Sequence, residues 1–90
     1  MKSEARVQTE IMNYLEDKGC YVIKIVRANK QGVSDLAVCH DGKFICIEVK
    51  AEGKRKNTTK WQEFHLNLVK MSGGKAFVAD SVYDVIEQGL

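Results

Sequence analysis

Residues 32–50, GVSDLAVCHDGKFICIEVK, decide how this chain is read. Two runs of mostly apolar, β-forming residues, 35–39 and 44–50, flank His40-Asp41-Gly42-Lys43. An Asp-Gly pair between such runs is a strong hairpin signal, because a type I′ turn needs positive φ at both central residues. Counting inward from that turn pairs His40 with Lys43, Cys39 with Phe44, Val38 with Ile45, Ala37 with Cys46, Leu36 with Ile47 and Asp35 with Glu48. Opposed Cβ atoms in such a ladder lie about 4.5–5.5 Å apart, so this register sets two carboxylates against each other, where like charges repel. Lys50 is two residues beyond Glu48 and projects from the same face. That face otherwise carries Ala37, Cys39, Phe44 and Cys46, and the opposite face carries Leu36, Val38, Ile45 and Ile47. Both faces read as covered, which puts the charged trio at the rim of a buried sheet.

Outward from the hairpin, the chain alternates short elements. Ser3 can cap a helix running to about Lys18, with Val7, Ile11, Tyr14 and Leu15 at helical spacing and Gly19 just past its end. Cys20 to Arg27, CYVIKIVR, reads as a strand and residues 28–34 as a loop. After the hairpin comes the basic loop AEGKRKNTT, then a helix from about Thr59 to Met71. Trp61, Phe64, Leu68 and Met71 share one face of it, so Trp61 and Phe64 are expected in the core. Ser72-Gly73-Gly74 stops the helix, Lys75 to Ala79 is a short strand, and Ser81 to Gln88 a last helix. The order α-β-β-β-α-β-α describes a single α/β domain over residues 1–90, with a mixed sheet of about four strands flanked by helices.

Composition bounds the function. A domain of 90 residues buries only about 60–65% of the surface its unfolded chain exposes, which favours a homo-oligomer. The formal charge of +2 is small, so attraction to nucleic acid must come from where the positive residues sit. Cys20, Cys39 and Cys46 lack CxxC spacing and lie in apolar runs, as reduced, buried thiols of a cytoplasmic protein do. No apolar run suits a signal peptide or a membrane span, so a membrane is not expected as a partner. His40 and His65 stand apart from any Cys set that would bind Zn²⁺, and Ser34 has no histidine base beside it for hydrolase chemistry.

Two acids held together at a sheet rim need a compensating cation. Mg²⁺ suits them, since it takes one or two carboxylates plus waters and phosphate oxygens. The adjacent lysine could then orient or deprotonate a water, or stabilise charge developing on a phosphate. In the first helix Glu4 projects between Ile11 and Leu15 at ~100° per residue, inside the apolar stripe, where an acid is costly unless paired or bound to metal. A place in the first turn also suits the helix dipole, so both roles stay open for Glu4. Glu10 points to the surface. Gln62 likewise has two roles: Thr59 and Gln62 fit a capping box, and the same amide could reach the site. Lys54, Arg55, Lys56 and Lys60 crowd one loop without an acid among them, and Arg27 and Lys30 precede Asp35; such cations can grip phosphates without reading sequence.

Glu4 on the first helix, Gly32-Val33-Ser34-Asp35-Leu36, Ile47-Glu48-Val49-Lys50 and then Gln62 on the following helix resemble the PD-(D/E)xK nuclease superfamily. More narrowly they resemble the stand-alone VRR-NUC domains of phage and bacteria, relatives of archaeal Holliday-junction resolvases. The resemblance covers nearly the whole chain in element order and implies a restriction-endonuclease-like αβββαβ core. It implies divalent-metal-dependent hydrolysis of DNA phosphodiester bonds with Mg²⁺, or Mn²⁺ in its place, in the cytoplasm of a bacterial or phage-infected cell. Asp35 and Glu48 would be acidic metal ligands, joined by the Val49 carbonyl and by Glu4. Lys50 would be the motif lysine, and Gln62 would complete the catalytic set. Ser34 stands where the superfamily's name has proline. Branched DNA, a Holliday junction or a flap, would be the substrate and a homodimer the working form. The rival from another class is a non-catalytic nucleic-acid-binding module with the same fold.

Overall fold

The computed structural model describes residues 1–90. Helix α1 (Glu4–Asp17) starts where the Ser3 hydroxyl accepts the Arg6 N–H at 3.2 Å, the cap its sequence called for. Strands β1 (Tyr21–Lys24), β2 (Leu36–His40), β3 (Lys43–Val49) and β4 (Lys75–Ala79) form one sheet in that order. The first three are antiparallel neighbours, and β3 and β4 run parallel. Parallel strands need a crossover, supplied by α2 (Lys60–Met71); α3 (Val82–Glu87) closes the chain. This is the mixed four-stranded α/β sheet that the alternation of elements called for.

The hairpin has the expected register. Asp41 (φ 51°) and Gly42 (φ 75°) both adopt the left-handed conformation of a type I′ turn, and the five pairs from His40 with Lys43 to Leu36 with Ile47 form as counted. Asp35 and Glu48 lie one step beyond the last pair. There Asp35 leaves the ladder, but its carboxylate Oδ2 accepts the Val49 N–H at 2.8 Å and its carbonyl accepts the Ile25 N–H at 2.8 Å.

Three expectations need correcting. β1 ends at Lys24 and not at Arg27, because its partner β2 begins at Leu36, opposite Lys24; beyond that point only the Ile25 bond remains. Trp61, Phe64, Leu68 and Met71 are exposed rather than core. α2 instead turns Gln62, Leu66 and Val69 towards β3 and β4, where Leu66 packs on Cys46 and Ala76. That direction lies roughly 145° round the helix from the apolar stripe, at about 100° per residue. The second face of the sheet is therefore covered only over β3 and β4. Over β1 and β2 it is open, and Cys39 is an exposed thiol while Cys20 and Cys46 are buried; all three are free.

The first face is sealed. Val7, Ile11 and Leu15 of α1 meet Leu36, Val38, Ile45 and Ile47 of the hairpin and Val85 of α3 in one cluster. No helix is long and apolar enough to cross a membrane.

One contact fixes the approach to Asp35. Gly32 has φ +83°, and a Cβ there would sit 2.6 Å from the Trp61 main-chain carbonyl carbon. Only glycine lets the loop 28–34 lie directly on the first turn of α2, which brings Asp35 and Gln62 to the same end of the sheet.

Candidate active site

Three pieces of chain meet at that end: the entry to β2, the last residues of β3 and the first turn of α2. Each has a local reason to be there. Asp35 is tied to β3 by its bond from the Val49 N–H. Glu48 and Lys50 alternate with the core residues Ile47 and Val49, so they share the α2 face. Gln62 is at the third position of α2, where a capping box places its side chain back over the cap: Gln62 N–H donates to Thr59 Oγ1 at 3.1 Å and Gln62 Oε1 accepts the Thr59 N–H at 3.0 Å.

Both roles considered for Gln62 are filled by one amide. Its Oε1 also accepts from Lys50 Nζ at 3.0 Å, and its Nε2 donates to Glu48 Oε2 at 3.1 Å. Lys50 Nζ lies 3.6 Å from the same Glu48 oxygen. Glu48 is 3% exposed and Lys50 9%. The cation and the amide thus both serve one carboxylate oxygen. The other, Glu48 Oε1, is buried with no hydrogen-bond partner.

The electrostatics follow. Burial pushes the Glu48 carboxyl up to about 8, and the charge of the neighbouring Asp35 carboxylate pushes in the same direction. Lys50 pulls the other way, and Glu4 adds the smallest push upward. A buried acid with one orphaned oxygen, facing a second acid, lacks positive charge. A pair of carboxylates suits a hard divalent ion, which takes one or two of them and completes its shell with waters and phosphate oxygens, so the donor set fits Mg²⁺ or Mn²⁺. The Val49 carbonyl lies on the same strand edge as its N–H, the edge that faces Asp35.

Glu4 stands off from this group. It is exposed in the first turn of α1, and no three His, Cys, Asp or Glu side chains converge closely enough to hold an ion by themselves. Glu10 is engaged at the surface by Lys2 and Arg6, which lower its carboxyl below the usual range.

Compared with solved structures, the chain matches one described as "VRR_NUC domain", with a TM-score of 0.75 and 26% sequence identity over 97% of this chain and 94% of the other. This is a VRR-NUC-type fold. No family model matches the sequence, and no curated protein does. The likeness to a VRR-NUC domain therefore rests on the arrangement of elements together with 26% residue identity. It makes the fold of this chain a nuclease-type one.

Within the VRR-NUC-type frame the basic residues separate into two groups. Arg27, Lys30, Lys54, Lys56 and Lys60 are exposed. Arg55 is instead held in an ion pair by Asp84 at the start of α3, and the Gly53 N–H donates to Asp80 Oδ2 at 3.0 Å. Glu52 exchanges two hydrogen bonds with Lys2, the Lys2 N–H to Glu52 Oε1 at 2.8 Å and the Glu52 N–H to the Lys2 carbonyl at 3.0 Å. The loop after Lys50 is thus clamped at three points by residues the sequence reading passed over. An aspartate in the first turn of a helix reads as a dipole partner, and nothing local marks Asp84 as the partner of a residue 29 positions away. Ser34, which has no histidine base for hydrolase chemistry and stands at the superfamily's proline position, has a packing role that local sequence does not mark. It is buried, and its hydroxyl lies against the Cys46 thiol, which burial keeps above the ordinary range. His40 lies at the other end of the hairpin, with Nδ1 3.3 Å from Cys20 Sγ, and has no part in the acid pair.

Proposed function

We propose that this chain is a divalent-metal-dependent endonuclease that hydrolyses DNA phosphodiester bonds, with branched DNA such as a Holliday junction or flap as substrate and a homodimer as the working form. The observation that carries the reading is the buried Glu48, with one oxygen satisfied by Gln62 and Lys50 and the other left free opposite Asp35. An acid pair built only for stability would have both oxygens paired.

Asp35 and Glu48, with the Val49 carbonyl, are the groups that would hold the ion. Such an ion supplies charge against the scissile phosphate and acidifies a water. The chain's own residues do the rest. Lys50 brings the only cation paired to the acids, and Gln62 fixes where that cation points, so the phosphate meets it without reorganisation. Burial of Glu48 and Lys50 excludes competing water and strengthens each of these contacts. Lys54, Lys56 and Lys60 on one side, and Arg27 and Lys30 on the other, grip the flanking phosphates without reading bases.

The test incubates the protein with supercoiled plasmid, a flap and a four-way junction in Mg²⁺, Mn²⁺ or EDTA. Cleavage should need metal and should fall by at least about a hundredfold in Asp35→Ala and in Lys50→Ala, the usual scale for loss of a positioned catalytic group. Metal-dependent cleavage that survives both changes sinks the assignment of the site. The exposed position of Glu4 favours the second reading, a binding module without catalysis; DNA binding with no cleavage of any substrate decides for it.

A further inference from the structure

Two of the elements that build the acid site, β3 and α2, carry a lysine at their opposite ends. Lys43 opens β3 and Lys70 stands in the last turn of α2, while Lys75 opens β4, the edge strand that runs parallel to β3. All three line one groove of about 490 Å³. Four successive residues of β4, from Lys75 to Val78, form one side of it, with Leu66 of α2 and Gln88 from just past α3 on its flanks. No acid lines the groove.

None of the three lysines pairs with a carboxylate. The acids of the neighbouring elements are turned elsewhere: Asp41 towards His40 Nε2 at 3.4 Å, Asp84 to Arg55, and Glu87 to the Tyr83 hydroxyl. Glu63 stands in the first turn of α2, at the other end of that helix. A lysine in the last turn of a helix suits its dipole, and a lysine on an edge strand keeps other sheets away. Those roles account for Lys70 and Lys75 one at a time. Neither explains why three cations from three elements converge on one concave surface without a counter-charge, where they repel one another until an anion arrives.

The groove keeps a fixed distance from the acids. From Glu48 to Lys43 is five residues of extended strand, about 17 Å at 3.3 Å per residue, and from Gln62 to Lys70 is eight residues of helix, about 12 Å at 1.5 Å per residue. Phosphates follow one another about every 3.4 Å along one strand of a duplex, so the two sites stand about four or five phosphates apart. The groove also reaches the site from the side, since its residue Val78 is the β4 partner of Glu48. We infer that Lys43, Lys70 and Lys75 form a second phosphate site, which holds the backbone of a nucleic-acid strand four or five nucleotides from the phosphate presented to the acid pair. The inference rests on the reading of the chain as acting on nucleic acid, because the spacing is counted from that pair. It adds a contact surface at the end of the molecule opposite the cations of the loop after Lys50.

The test measures binding of a fluorescent 24-base-pair duplex to the full chain by anisotropy, in EDTA and over a range of salt. Each phosphate contact contributes about 0.9 to the slope of log affinity against log salt. Lys43→Gln, Lys70→Gln and Lys75→Gln should each flatten the slope by about that much, and the triple Gln variant by roughly 2–3. The triple Lys→Arg variant should keep the wild-type slope. Lys18→Gln, which removes a cation outside the groove, should keep it too, and unchanged melting temperatures separate lost contacts from lost folding. In Mg²⁺ the triple Gln variant should cleave with a raised KM and the wild-type kcat, since the acids are untouched. Once the cut is mapped, neutral methylphosphonates at the fourth and fifth phosphates on either side of it should weaken the wild type and leave the triple Gln variant unmoved. DNA binding with the wild-type slope in the triple Gln variant overturns the groove and leaves the nuclease reading standing. A wild-type chain that binds no DNA overturns both. Methylphosphonates that weaken both proteins equally overturn the spacing. A poly-glutamate peptide held by the wild type and released by the triple Gln variant, with the DNA slope unchanged, assigns the groove to an acidic protein segment and overturns the inference.

Discussion

The two faces of the sheet are built to different standards. On the α1 and α3 face, 13 buried residues form one continuous cluster; on the α2 face the buried cluster has three, Cys46, Leu66 and Ala76. All the ionisable chemistry sits at the end of the thinner face, where Glu48 and Lys50 emerge from β3 and Gln62 comes down from α2. The sealed face holds β3 rigid, and only then can the other tolerate a buried acid with an unpaired oxygen. Stability and chemistry are divided between alternate residues of one strand.

Substitutions on the two faces should break or sharpen this contrast. The largest effect is expected at the sealed face: Ile47→Ala should cost about 2–5 kcal/mol in denaturant unfolding, as large-to-small core changes do, while Cys39→Ala on the open face should stay within roughly 0.5 kcal/mol. Equal costs would mean that the faces contribute alike. Gly32→Ala comes next, at roughly 1–3 kcal/mol, from the strained backbone and a Cβ driven into Trp61. It should also lower cleavage more than its stability loss explains, because it lifts Asp35 away from Gln62.

Glu48 tests the thin face by pH. Its folded carboxyl is raised from 4.5 to about 8, so the folded state keeps a proton that the unfolded state releases in that window. Stability from this group is therefore complete below about 4.5 and is lost as pH rises through about 8. Without metal, Glu48→Gln should match the wild type near pH 4 and melt higher at pH 9, by on the order of 5 °C for a domain of this size. Mg²⁺ should raise the wild-type melting temperature at pH 9 and leave Glu48→Gln unmoved. Identical pH profiles for the two proteins would show that Glu48 ionises without penalty. The smallest effect is at the cap: Thr59→Ala should cost about 1 kcal/mol and should also reduce cleavage, since Gln62 loses one of its anchors.

The hairpin and the acid pair were legible because one dipeptide dictates them. Asp41-Gly42 admits a single turn type, the turn sets the register, and the register brings Asp35 to Glu48. The docking of α2 was not legible. Periodicity reveals an apolar stripe but not which flank meets the sheet, and here the small residues Cys46 and Ala76 and the polar tie from Gln62 to Glu48 prevailed over Trp61 and Phe64. The clamp of Arg55 by Asp84 joins elements far apart in sequence, and no local pattern announces it. The end of β1 depended on where its partner strand began, which composition does not encode.

The amide of Gln62 makes three hydrogen bonds, to the Thr59 N–H, Lys50 and Glu48. A helix cap of this kind accepts glutamate as readily as glutamine. The neighbouring acids do not, since a carboxylate at 62 would face Glu48 across the span that Nε2 now bridges as a donor. Position 62 thus has two permitted letters by the grammar of helices and one by the grammar of the acid pair, so neutral drift there is closed by a constraint that folding alone would never impose.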